Sequence, residues 1–140
     1  MSAVYLAFLA AIAFSFWTIF HKFASPHIDQ VFGAIIVSLT AVILGGIILL
    51  PQLKTKQLVS NPKGVLFVVL AGICAFFIDF LALSAYSKGL PMSVGGPIII
   101  GGSIAIASII GVFLGEAFDF LKILALFAII LGSAILARYE

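Results

Sequence analysis

Charge is what this chain has least of. Only 9% of its 140 residues are Asp, Glu, Lys or Arg, where a water-soluble domain carries roughly a quarter. Hydrophobic residues make up 64% and the mean hydropathy is +1.38, so a soluble globular domain is excluded. Long polar stretches are missing too, and no joint between apolar runs is long enough to fold alone. Cysteine is reduced to Cys74, which has no disulfide partner in the chain and reads as a small packing residue. Residues 1–16 hold no Lys or Arg, and the first apolar run outlasts a normal signal-peptide core, so cleavage as a secretory signal is not expected. Catalytic signatures are absent: there is no HExxH, no GxSxG and no carboxylate cluster, which argues against a membrane-embedded enzyme. His21 and His27 have no metal-site spacing, and no charge ring or filter-like segment suggests a channel. No cofactor, metal or nucleic-acid partner is expected.

What is present is five apolar runs, each near the ~20 residues a helix needs to cross hydrocarbon. Backbone groups in lipid must be paired internally, which leaves helices or closed barrels. A barrel strand would alternate apolar and polar positions, and Ile98-Ile99-Ile100 and Leu124 to Leu131 do not. The expected fold is therefore all-α: a five-helix integral membrane bundle forming a single domain over residues 1–140, with lipid as its surroundings. The first span runs from about Val4 to Ala24 and ends at Ser25-Pro26, where the residue before proline disfavours helix. The second covers about 31–50 and is stopped by Pro51; the third, about 64–86, follows Asn61-Pro62-Lys63. Ser87-Lys88-Gly89-Leu90-Pro91 reads as a turn, after which come spans over about 93–114 and 121–137.

Basic residues near span ends set orientation. The side holding the N-terminus and the second and fourth joints has Lys54, Lys56, Lys63 and Lys122; the other has Lys22, Lys88 and Arg138. Four against three scarcely dictates a topology. Either the Lys54 to Lys63 cluster fixes one orientation, or the chain inserts both ways and can form an antiparallel homodimer.

Function should show where polarity interrupts the spans, because an ionisable group in hydrocarbon costs at least ~2.5 kcal/mol and usually faces a cavity or a partner. Asp79, in Ala75-Phe76-Phe77-Ile78-Asp79-Phe80-Leu81, is the clear case. It suits a proton, a cationic substrate or a structural hydrogen bond. The end of the first span offers neighbours on the same half of the membrane: Ser15, Trp17, Thr18, His21 and Lys22. Residues 15, 18 and 22 share a helical face, and Thr18 and His21 are three apart. Trp17 and His21 fit either a site or interface anchoring, Lys22 fits anchoring better, and a histidine here is also a candidate proton carrier. Tyr86, two turns beyond Asp79, suits a ligand hydrogen bond or the aromatic belt. In the fourth span, Gly95-Gly96-Pro97 suggests a bare, cavity-facing segment or a helix break exposing carbonyls. Gly111 and Gly115 form a GxxxG pair suited to close helix packing, and Glu116 reads as structural, capping the next helix or pairing with Lys122.

The stretch Leu83-Ser84-Ala85-Tyr86-Ser87-Lys88-Gly89-Leu90-Pro91-Met92-Ser93-Val94-Gly95-Gly96-Pro97-Ile98 resembles the junction of the third and fourth helices in EamA-type members of the drug/metabolite transporter superfamily. So do Val112-Phe113-Leu114-Gly115-Glu116 with a final helix containing Gly132, and the segment from Phe16-Trp17 to Lys22. The likeness spans essentially the whole chain, in helix order and number; its Leu-Gly-Glu element is the most telling. One departure is Asp79, where an aromatic or apolar residue is expected.

The resemblance implies a secondary-active transporter of small organic metabolites or drugs, working by alternating access. The family's usual ten helices arise from two inverted five-helix halves, and this chain looks like one half. It should then pair with a second copy, an antiparallel homodimer being favoured by the balanced basic residues. Its expected place is a prokaryotic inner or plasma membrane. The alternative is a non-transporting subunit, or a packing partner for another transporter half.

Overall fold

The computed structural model describes residues 3–53, 58, 59, 61–115 and 119–139. Lys54 and Lys56 of the basic cluster and Glu116 lie outside the described residues. Among the described residues there are five α-helices and no strand: α1 (Ala3–Ala24), α2 (Gln30–Leu49), α3 (Pro62–Ser87), α4 (Met92–Phe113) and α5 (Phe120–Leu136). Short 3₁₀ turns follow α2 at Leu50–Gln52 and α5 at Ala137–Tyr139.

Local chemistry sets the helix ends. Asp29 caps α2, its Oδ1 accepting from the Phe32 amide at 3.0 Å. Asn61 does the same for α3 through the Lys63 amide at 2.9 Å, with Pro62 in the first helical position, where its missing N–H is not needed. α1 stops where the Ser25 hydroxyl donates to the Lys22 carbonyl at 3.0 Å, immediately before Pro26. The α3–α4 turn needs Gly89, at φ 100°, a left-handed value that side chains disfavour.

Four helices, α1 to α4, are long and apolar enough to cross a membrane. α5 has 17 residues, about 25 Å of helix at 1.5 Å per residue. The 3₁₀ turn Ala137–Tyr139 adds about 6 Å, bringing it to the ~30 Å of a hydrocarbon core. The chain is a multi-pass integral membrane protein. Most large apolar side chains point outward, Phe8, Val42, Phe67 and Val68 among them, which in lipid carries no penalty because acyl tails are as apolar as leucine. Cys74 is also exposed, on an outer face of α3 rather than in packing.

The chain divides into two compact units. In Phe20–Ser87, α2 packs on α3, with Ala34 and Leu83 enclosed. Gly33 makes the approach possible: a Cβ there would come 2.7 Å from Leu83 Cδ1 and 3.4 Å from Ile28 Cγ2. In the unit formed by Met1–Ile19 and Lys88–Glu140, α4 packs on α5, and Gly101 is the bare position facing Ser133. Small residues at such crossings are how membrane helices gain dispersion contact without a hydrophobic driving force.

Of the two readings of Gly95-Gly96-Pro97, a helix break is not seen: α4 continues through Pro97 to Phe113. Pro97 has no N–H to give the Ser93 carbonyl, and the helix tolerates that one missing bond near its start. The Ser133 hydroxyl lies 3.0 Å from a different acceptor, the Pro97 carbonyl. Gly115 is not half of a packing pair within the helix. It follows Leu114, the C-cap of α4, at φ 86°, and its amide donates to the Val112 carbonyl at 3.0 Å, so it terminates α4 as a left-handed C′ glycine. Gly111 is buried inside α4.

Candidate functional site

In the unit Phe20–Ser87, the last turn of α1 meets the second half of α3 through a polar contact. His21 Nε2 lies 3.2 Å from Asp79 Oδ1. Both residues are enclosed, with 4% and 6% of their surface exposed. The spacing is that of an ion pair, although the ring nitrogen is not aligned with the oxygen as a hydrogen-bond donor. A carboxylate and an imidazole are thus withdrawn together from an apolar setting in which either alone would be costly.

One residue on, the Lys22 ammonium reaches the C-terminal end of α3. Its Nζ lies 3.5 Å from the Tyr86 carbonyl and 5.7 Å from the centroid of the Tyr86 ring. A cation at a helix C-terminus meets the negative end of the macrodipole and carbonyls without intrahelical partners. Lys22 therefore does more than anchor at an interface. Tyr86 is 2% exposed, which does not suit the aromatic belt, whose hydroxyls sit in the headgroup layer. Its hydroxyl is buried without a hydrogen-bond partner among the described residues. Ser25, 3% exposed, turns its hydroxyl back to the Lys22 carbonyl.

The other unit carries an open cleft of about 380 Å³ lined by Ser15, Thr18, Gly96, Pro97, Gly101 and Ser133, with apolar neighbours. Its hydroxyls are turned to carbonyls. Ser15 donates to Ala11 at 2.9 Å and Thr18 to Phe14 at 3.1 Å. Ser133 lies 2.9 Å from the Ile129 carbonyl as well as beside Pro97, its one proton serving one acceptor at a time. Gly96 borders the Thr18 methyl, which a Cβ would meet at 3.6 Å. Gly95 is buried beside it in α4. Trp17 is half-buried and stacks on Phe14 with ring centroids 4.9 Å apart.

The predicted residues thus fall into two groups. His21, Asp79 and Tyr86 belong to one unit and Trp17, Thr18, Gly95, Gly96 and Pro97 to the other. Among the described residues no group of three His, Cys, Asp or Glu side chains is placed to hold a metal ion.

Comparison with known families decides the wider assignment, because the EamA-like transporter family matches residues 1–138. The chain belongs to the EamA-like transporter family. No curated protein and no solved structure matches it. EamA membership makes the chain a member of a membrane transporter family, whose proteins are transporters rather than enzymes.

Sequence reasoning singled out Gly101, with Gly102 and Ser103, as part of a bare stretch allowing close helix approach, but missed Ser133, which Gly101 admits and whose hydroxyl reaches the Pro97 carbonyl from the neighbouring helix. A lone serine in the apolar stretch Phe127 to Ala134 was the available signal for Ser133.

Proposed function

We propose that this EamA-like chain is half of a secondary-active transporter of small organic metabolites or drugs, with all five helices acting as one repeat. Two copies, antiparallel by preference, enclose the pathway in a prokaryotic inner or plasma membrane, and the cavity opens alternately to the two faces. Asp79, with His21 against it, exchanges a proton for the solute. The observation that carries this reading is the enclosed His21–Asp79 pair at 3.2 Å, set in helices otherwise almost free of charge. General experience with intramembrane carboxylates supports it, since they mark proton relays and substrate pathways. Support for the assembly comes from the four-to-three division of basic residues and the location of transporter sites between repeats.

The test is flux into proteoliposomes holding the purified chain, measured for radiolabelled choline, proline, lactate and putrescine under an imposed pH gradient. Wild-type protein should move at least one of these, with a rate that follows the gradient, and Asp79→Asn should abolish that dependence. Retention of both rate and pH dependence in Asp79→Asn removes the coupling role. A chain that folds but moves nothing alone is what the packing-subunit reading requires.

A further inference from the structure

Among the described residues, nothing engages the Tyr86 hydroxyl. Its ring is almost completely enclosed, at 2% exposure, and its oxygen is buried without a partner among the described residues. Burying a hydroxyl without a hydrogen bond is unfavourable by an amount comparable to a whole hydrogen bond. Phenylalanine would fill the same volume without that cost. The neighbours do not explain the hydroxyl: Lys22 engages the Tyr86 carbonyl and ring face, and both of those interactions survive its removal. The residue sits two turns from Asp79 on α3, in the unit that holds the His21–Asp79 pair. Aromatic side chains on a helix lean toward its N-terminus, here toward the Asp79 turn.

We propose that the Tyr86 hydroxyl is a donor reserved for the transported solute, which makes Tyr86 a specificity-determining residue for solutes presenting a hydrogen-bond acceptor such as a hydroxyl, carbonyl or carboxylate oxygen. The inference rests on the transporter reading above and adds the chemistry that the solute must carry. In the enclosed state the hydroxyl waits unpaired; when the pathway opens, an entering acceptor gains a bond for which no protein bond is broken. A solute without an acceptor leaves the hydroxyl as it was and gains nothing from it.

Tyr86→Phe separates this role from a structural one, because the two predict opposite changes in stability. Thermal unfolding of the purified full chain in detergent is compared with flux of the same four radiolabelled probes in proteoliposomes. Choline, proline and lactate carry acceptors, whereas doubly protonated putrescine has none. The expected result is a midpoint equal to or above wild type, KM raised about tenfold for the acceptor-bearing probes that wild type moves, and unchanged putrescine flux. A lowered midpoint shows that the hydroxyl is held by the protein or its water, and overturns the proposal. So does an unchanged KM, or an equal loss for putrescine. If wild type moves none of the four, the transport reading falls and this inference with it; if wild type transports and Tyr86→Phe matches it, only this inference falls.

Discussion

Replacing Gly101 by alanine tests how the α4–α5 pair is held. A Cβ at Gly101 would overlap Ser133 Oγ outright, come 2.8 Å from Ser133 Cβ and lie 3.7 Å from the Ile129 carbonyl. Rotation of the Ser133 side chain relieves the first contact, but it removes the hydroxyl from the Pro97 carbonyl, 3.0 Å away. The second contact cannot be relieved by rotation, since Cβ is fixed to the backbone, so the helices must separate by several tenths of an ångström. Overpacking of this kind costs about 1–3 kcal/mol, and losing one interhelical hydrogen bond in a membrane protein adds about 0.6 kcal/mol. Gly101→Ala should therefore destabilise by about 2–3 kcal/mol in reversible detergent unfolding. The second substitution locates the cause. Ser133→Gly removes both clashing atoms, so adding Gly101→Ala to it should cost under about 0.5 kcal/mol. Ser133→Ala keeps Cβ and should rescue only partly. A neutral Gly101→Ala, or full rescue by Ser133→Ala, would refute the steric argument.

One further outcome is expected. A cysteine introduced in the second joint of a Cys74→Ser chain should be labelled by an impermeant maleimide from both faces of the membrane in a population of molecules, and labelling from one face only excludes the antiparallel assembly.

Much of the fold was legible because its signals are local. Ser25-Pro26, Asn61-Pro62 and the Gly89 turn act within a few residues of themselves, and the observed helix ends fall one or two residues from the limits that such punctuation suggests. Asp79 was legible as an exception, since a carboxylate inside an apolar run needs no partner to be noticed. Its partner was not. Ser15, Trp17, Thr18, His21 and Lys22 lie within the last half of one helix, and which of them faces α3 depends on helix rotation, which interhelical packing sets. Gly115 has a role that its spacing from Gly111 did not show: the helix ends before it, and a glycine at C′ serves the backbone conformation. Gly101 was legible as part of a bare stretch suited to close approach, but its partner Ser133 lies on α5 and meets it only after α4 and α5 have packed, so the pairing does not show by spacing.

The pairing of Asp79 with a histidine, and not with a second carboxylate or a lysine, bears on how the proposed cycle would run. Imidazolium with carboxylate and imidazole with carboxylic acid contain the same number of protons, and both have no net charge. Either can be buried at lower cost than a pair one proton richer or poorer, because net charge is what low dielectric penalises most. Enclosure of both side chains would favour a pair without net charge in the proposed cycle. A cationic solute approaching Asp79 would leave the pocket positively charged unless one proton departs, so closure around the solute favours release of one proton. For a cationic solute such as choline the proton-to-solute ratio should then be one.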